Sequence, residues 1–335
     1  MTTSHHSFPF LRLPWLAQES ILKWMYVEDQ FNLSKASTAA KHLLKFFSQS
    51  QKYQLQLDFF NHGYNFNLEN PKTKRILDIY NSSKMVNFVW KENGWTYQKC
   101  CTRELIELID HIAKIFNCSK ISLNFLEASQ ALPVINLVKK LNIKVEDFLF
   151  QGVTYFFDAD LFKWILTEYK NASNTTLLIE PPRNFEFPDA PEFNWSSVKI
   201  SYSAWVTADI LTRCFKNCES IELSHNIIPF VDFYIFIKDW LNGRLKVKDL
   251  KIETSLCCQD LPVELILRDL EYVIIQSVVP GKDRIRLFGE GYVIKNKNGQ
   301  EAVVCWDSSM FVLSTCFEEY YPFLGDEYEE IGVFE

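Results

Sequence analysis

Between residues 120 and 253, short apolar runs that read as strands recur about every 22–29 residues. They begin near Lys120 (KISLNF), Glu146 (EDFLFQ), Thr175 (TTLLIE), Ser197, Ser220 and Lys248 (KDLKIE). Helical patterns separate most of them. Thr102 can cap a helix with Leu105, Leu108, Ile109, Ile112 and Phe116 on one face. A second is expected at about Ala131–Leu141, and Asp158 can cap a third that turns Leu161, Trp164 and Ile165 inward. Thr207 can cap a fourth carrying Ile210, Leu211, Cys214, Phe215 and Cys218. A fifth starts at Pro229 and shows Phe230, Phe233, Ile237, Trp240 and Leu241, with Gly243 placed as its C′ residue. The prolines of PPRNFEFPDAPEF mark a loop. Strands separated by helices need crossover connections, which implies an α/β fold with a mainly parallel sheet.

This period is that of leucine-rich-repeat solenoids, and Ile221-x-Leu223-x-x-Asn226 matches the LxLxxN core of that repeat. The consensus fails elsewhere, since Leu126 stands where the first strand would need its Asn. The expected body is an irregular, LRR-like αβ stack. A closed doubly wound domain is the alternative, but no glycine-rich strand-to-helix turn supports it. Two flanking regions look antiparallel. KYQLQLDFF and MVNFVWKENGWTYQK suggest strands around a helix near 72–80, the second with an Asn93-Gly94 turn. RIRLFGEGYVIKNKNGQEAVVCWD reads as a C-terminal antiparallel hairpin on Asn298-Gly299, with Gly289-x-Gly291 as a turn feature, and a strand follows at Met310–Thr315. These strands would close the stack and hide its edge.

The N-terminal residues 8–47 break into three short helices. Pro14 suits an early helical position, followed by Ile21, Leu22 and Met25 on one face. A short second helix spans roughly Glu28 to Lys35 with Phe31 and Leu33, and a third runs from about Thr38 with Ala40, Leu43, Leu44 and Phe47. Three helices of this length bury too little surface to stand comfortably alone, so the piece is more plausible as half of an interface. The Leu13-Pro14 start, the short middle helix with its Leu33-Ser34 pair and the third helix resemble an F-box.

Composition narrows the possible functions. The nine cysteines include no CxxC pair, and the doublets Cys100-Cys101 and Cys257-Cys258 suit a reducing compartment, cytoplasmic or nuclear, better than a disulfide framework. No apolar run approaches the roughly 18–20 residues of a membrane span, and no signal peptide is evident. The net charge of −7 lies in the tail, because residues 318–335 hold seven acids and no Lys or Arg, leaving a neutral body. A neutral body argues against nucleic acid as a partner. The sequence has no GxxxxGK[ST], HExxH or GxSxG motif, so no enzymatic activity, metal or cofactor is expected. Cys214 and Cys218 share a helical face with no nearby His and read as core. His111 and His225 stand apart from other ligands.

The stretch Trp205 to Glu253 resembles the type 2 F-box-associated domain of nematode F-box proteins. The likeness rests on Trp205-Val206-Thr207, Leu211, Cys218-Glu219-Ser220-Ile221-Glu222-Leu223, Phe236-Ile237-Lys238-x-Trp240 and Leu250. That family places an F-box ahead of such a module, and its FPFLRLP-type opening is also here. Trp15 and Ala17 depart from the usual first helix. The resemblance implies an F-box at 1–50, an associated α/β domain at 51–317 and an acidic tail at 318–335. It also implies a substrate-recognition subunit of a Skp–cullin–F-box ubiquitin ligase. A Skp-type adaptor would dock on Leu13, Pro14, Ile21, Leu22, Met25, Phe31 and Leu33, with Leu43, Leu44 and Phe47 as core. The C-terminal module would bind an unknown target protein. The alternative is a non-catalytic interaction scaffold acting outside ubiquitination.

Overall fold

The computed structural model describes residues 10–60, 63–70, 75–81, 89–91, 94–96, 102–126, 131–151, 159–229, 232–254, 267–280, 289–306 and 309–319. The chain divides into two compact units, Met1–Phe185 and Glu186–Glu335. The division falls inside the proline-rich loop.

The first unit opens with three helices, α1 (Trp15–Trp24), α2 (Val27–Ala36) and α3 (Thr38–Ser48). Their ends are set locally. Pro14 is the N-cap of α1, its carbonyl accepting from the backbone N–H groups of Ala17 and Gln18. Ser37 ends α2 and caps α3, its Oγ accepting from Ala40 N at 3.1 Å. Two buried glutamines tie down backbone carbonyls on either side of α1. Gln18 Nε2 donates to the Leu13 carbonyl at 2.8 Å, and Gln30 Nε2 donates to that of Leu22 at 2.9 Å.

The strands and helices that follow are β1 (Tyr53–Phe60), β2 (Gly63–Asn70), β3 (Arg75–Asn81), β4 (Val89–Lys91), β5 (Gly94–Thr96), α4 (Thr102–Ile115), β6 (Cys118–Phe125), α5 (Ala131–Leu141), β7 (Lys144–Gln151), α6 (Ala159–Glu168) and β8 (Asn174–Leu178). β1, β6, β7 and β8 pair in parallel, while β2 pairs antiparallel with β1 and β3 antiparallel with β2. β1 shows the logic of the sheet. Tyr53, Leu55, Leu57 and Phe59 are buried, while Gln54, Gln56 and Asp58 on the other face are not. Asn117 and Asn142, just past α4 and α5, take the left-handed conformation (φ 43° and 52°) that turns each helix into its strand.

Two expectations change here. Residues 75–81 form strand β3, where a helix was expected near 72–80, and residues 72–74 lie outside the described residues. Ile76, Leu77, Ile79 and Tyr80 satisfy a helical spacing, but pairing with β2 along Tyr64↔Asn81 to Asn70↔Arg75 decides the outcome. In α6 the buried residues are Phe162, Ile165 and Leu166, so the helix is rotated and Leu161 and Trp164 are only half-buried. The hairpin of β4 and β5 forms, with residues 92–93 of its turn outside the described residues. Asp158 and residues 320–335 of the acidic tail also lie outside them, whereas Glu318 belongs to a strand.

The second unit runs β9 (Ser197–Ile200), α7 (Ala208–Cys214), β10 (Ser220–Asn226), α8 (Phe233–Leu241), β11 (Asp249–Thr254), β12 (Val273–Ile275), β13 (Val278–Pro280), β14 (Gly291–Lys295), β15 (Glu301–Trp306), β16 (Met310–Ser314) and β17 (Phe317–Glu319). β9, β10 and β11 are parallel, and β16 closes them antiparallel to β11, followed by β15, β14 and β12. Thr207 caps α7 through Ile210 N at 3.3 Å, and Gly243 (φ 70°) follows α8. α8 starts at Phe233, later than the Pro229 expected, with residues 230–231 outside the described residues. Trp240 is fully buried and donates from Nε1 to the Val247 carbonyl at 2.9 Å. Asn226 is also fully buried. Its Nδ2 donates to Ser203 O (2.8 Å), Ser203 Oγ (3.0 Å) and Val206 O (3.2 Å), and its Oδ1 accepts from Ile228 N (2.7 Å). This explains why the LxLxxN match ends in Asn, which holds the turn of the preceding strand–helix unit.

Gly291 is not a turn residue but the first of β14. A Cβ there would meet Val278 Cγ1 and Val303 Cγ2 at 2.7 Å. Those valines belong to a packed cluster with Cys305 and Val312. Gly291→Ala should therefore destabilise the second unit by about 1–3 kcal/mol through overpacking, measured as a lower urea midpoint with unchanged m-value.

Candidate docking surface on the N-terminal helices

The three helices split their apolar residues between the core and the surface. Leu22, Val27, Phe31, Ala40, Leu44 and Phe47 are buried in the unit's own core. Leu22 and Phe31 were among the expected contact residues, and at 0% and 5% exposure they are not available to a partner. Leu13, Ile21, Met25 and Leu33 are half-buried and Pro14 is exposed. Of the residues expected as core, Leu43 is half-buried.

Six large side chains of this segment face solvent instead. Leu11, Trp15, Leu16, Trp24, Tyr26 and Phe46 are 40–79% exposed, and they make up half of the large exposed apolar side chains among the described residues. Trp15 and Phe46 meet edge to face with centroids 5.1 Å apart, so α1 and α3 present one continuous apolar surface. The sequence reading missed all six. The available signal was that WLAQESILKW carries apolar residues around its whole circumference, more than one buried face can use.

The surface rests on a firm support. Ser34 Oγ donates to the Phe31 carbonyl at 2.6 Å. Its single proton is thereby committed, so His111 Nε2 on α4 donates to Ser34 Oγ across 2.9 Å. The His111 ring also sits edge-on to Phe31, and Lys35 Nζ lies 4.0 Å over the other partner of that ring pair. Ser48 Oγ donates to the Leu44 carbonyl at 2.8 Å and lies against that of Ile115. Asn117 Nδ2 donates to the carbonyls of Gln49 and Gln51 at 3.1 and 3.0 Å.

Burial, then Lys41 and Lys35, push the His111 pKa below its ordinary 6.5, against a weaker upward pull from Asp110. The folded protein thus favours neutral His111. That contribution to stability is complete above pH 6.5 and is lost as pH falls through 6.5 towards the lower folded value. Thermal melts between about pH 7.5 and 5.5 should show a fall that is shallower in His111→Gln.

The described residues offer little reactive chemistry. Burial pushes the thiols of Cys118, Cys218 and Cys305 up to about 12, and that of Cys214 also upward, so these cysteines pack as small hydrophobes. Among the described residues there is no cluster of three or more His, Cys, Asp or Glu able to hold a metal, and no helix is long and apolar enough to cross a membrane.

No family model matches the chain. It is similar to the Skn-1 dependent zygotic transcript 15 protein of Caenorhabditis elegans, with 20% identity over 342 residues that cover 92% of this chain and 96% of the relative. A distant nematode relative of matching length is therefore established.

Proposed function

We propose that the chain is the substrate-recognition subunit of a Skp–cullin–F-box ubiquitin ligase. In this reading α1–α3 form the F-box and dock on a Skp-type adaptor, which connects to a cullin, while the rest of the chain, with the type 2 F-box-associated module at Trp205–Glu253, selects a target protein. The observation that carries it is the exposed set Leu11, Trp15, Leu16 and Phe46 beside exposed Pro14, on helices whose core is already filled by other residues. Large exposed aromatic and aliphatic anchors of this kind mark protein interfaces. The order of the two resembling segments, an F-box-like start ahead of the Trp205–Glu253 module, supports the same reading.

Ubiquitin transfer would belong to the assembled ligase, because a receptor supplies proximity and orientation. Co-expression of the full chain with a Skp-type adaptor and a cullin tests the assignment. All three should co-purify, and capture of the adaptor without the cullin would overturn the ligase role.

A further inference from the structure

A sheet has unpaired backbone groups only at its edges, and proteins usually guard an edge with lysine, proline, a bulge or a covering element. In the second unit β14 pairs with β15 on one side and β12 on the other, and the outer edge of β12 meets no strand among the described residues. Its outward N–H and C=O groups have no hydrogen-bond partner there. Residues 271–277 (EYVIIQS) contain no Lys, Arg or Pro, and Glu271 is their only charge. Val273 and Ile274 are 66% and 50% exposed, although they point to opposite faces of the strand. Both faces of this edge are therefore apolar and open to solvent.

The strand is held in place from behind. Val273, Ile274 and Ile275 lie opposite Val293, Tyr292 and Gly291 of β14. Ile275 packs on the cluster of Val278, Val303, Cys305 and Val312, and Tyr272 meets Tyr292 edge to face with centroids 5.4 Å apart. The edge is a preformed template for one more strand.

We infer that β12 pairs antiparallel with β12 of a second copy of this chain, about a two-fold axis through Ile274. The residues of the edge select this occupant. In that register Ile274 lies opposite Ile274 of the second copy, and Val273 lies opposite its Ile275, so each exposed apolar side chain meets another on its own face. Tyr272 falls opposite Gln276, and Glu271 falls opposite Ser277, so no like charges meet. The register holds whichever residues turn their backbone outward. If Ile274 does, it exchanges both bonds with its symmetry mate; if Val273 and Ile275 do, they exchange them with each other. The pairing uses up both edges, so it closes at a dimer. The paired segment is short and buries less than the roughly 1,200 Å² of a standard interface, which sets a reversible dimer with a Kd on the order of 10–100 μM. This inference does not rest on the receptor reading above.

Sedimentation equilibrium of the full chain over about 2–200 μM brackets that Kd. The wild type should shift from monomer to dimer with no larger species. Ile274→Lys, and separately Val273→Lys, should weaken dimerisation by roughly tenfold or more while melting like the wild type, since both positions are exposed in the monomer. Leu16→Ala/Phe46→Ala alters the other exposed apolar set and should leave dimerisation unchanged. A second experiment reads the register. Directly opposed Cα atoms of antiparallel strands lie about 4.5–5.5 Å apart, within disulfide reach, so Ile274→Cys should give a covalent dimer on mild oxidation beyond the wild-type background. Glu271→Cys holds its two thiols roughly 20 Å apart in the same dimer and should not. A wild type that stays monomeric, undiminished dimerisation in either Lys variant, or its loss in the Leu16/Phe46 variant would overturn the inference. So would the absence of a cross-linked dimer from Ile274→Cys, or equal cross-linking of both cysteine variants.

Discussion

Replacing Asn226 with Leu should cost the second unit about 3 kcal/mol or more. The side chain has no exposure and takes part in four hydrogen bonds, three of them to backbone groups of the loop that follows β9 or of the turn after β10. Leu fills the space but leaves the Ile228 N–H and the Ser203 and Val206 carbonyls without that partner. Asn226→Asp keeps the shape and tests the same point differently. It loses the donors and sets a carboxylate against carbonyl oxygens, so it should be at least as damaging at neutral pH. Urea denaturation followed by the fluorescence of the buried Trp195 and Trp240 reads both.

The second large effect separates stability from docking on one helix. Leu22 has 0% exposure, and Leu22→Ala should cost about 2–5 kcal/mol through lost burial and a residual cavity. Leu16 is 73% exposed on the same helix, and Leu16→Ala should leave stability within about 0.5 kcal/mol. If the exposed set is a docking surface, the ranking inverts for adaptor affinity once the fraction of folded protein is taken into account. Leu16→Ala then loses affinity as a folded protein, while the folded fraction of Leu22→Ala binds normally. Denaturation curves and adaptor titrations on the same two variants measure both halves.

Much of the architecture could be read from local signals. The three N-terminal helices, α5, the cap at Thr207, the C′ glycine at Gly243 and the hairpin that turns at Gly299 all follow from periodicity or from a residue with one strong backbone preference. Where the outcome depended on distant pairing, local signals failed. Residues 75–81 fit a helix as well as a strand, and only β2 decides between them. Gly291 resembled a turn glycine until β13 and β15 placed valines against it. The candidate docking site failed for a similar reason. The spacing of Ile21, Leu22 and Met25 defines an apolar face, but only the packed structure makes Leu22 its fully buried member, leaves Ile21 and Met25 half-buried and puts Leu16 and Trp24 outside. Trp15 and Phe46 lie far apart in sequence, and only the packing of α1 against α3 brings them together.

Calorimetric titration of a Skp-type adaptor into the full chain, wild type and Leu16→Ala/Phe46→Ala, tests the central claim most directly. The account predicts saturable binding by the wild type and a loss of about 100-fold or more in a variant that melts like the wild type, as expected for removal of two interface anchors. No binding by the wild type, or equal affinity in the variant, would contradict it.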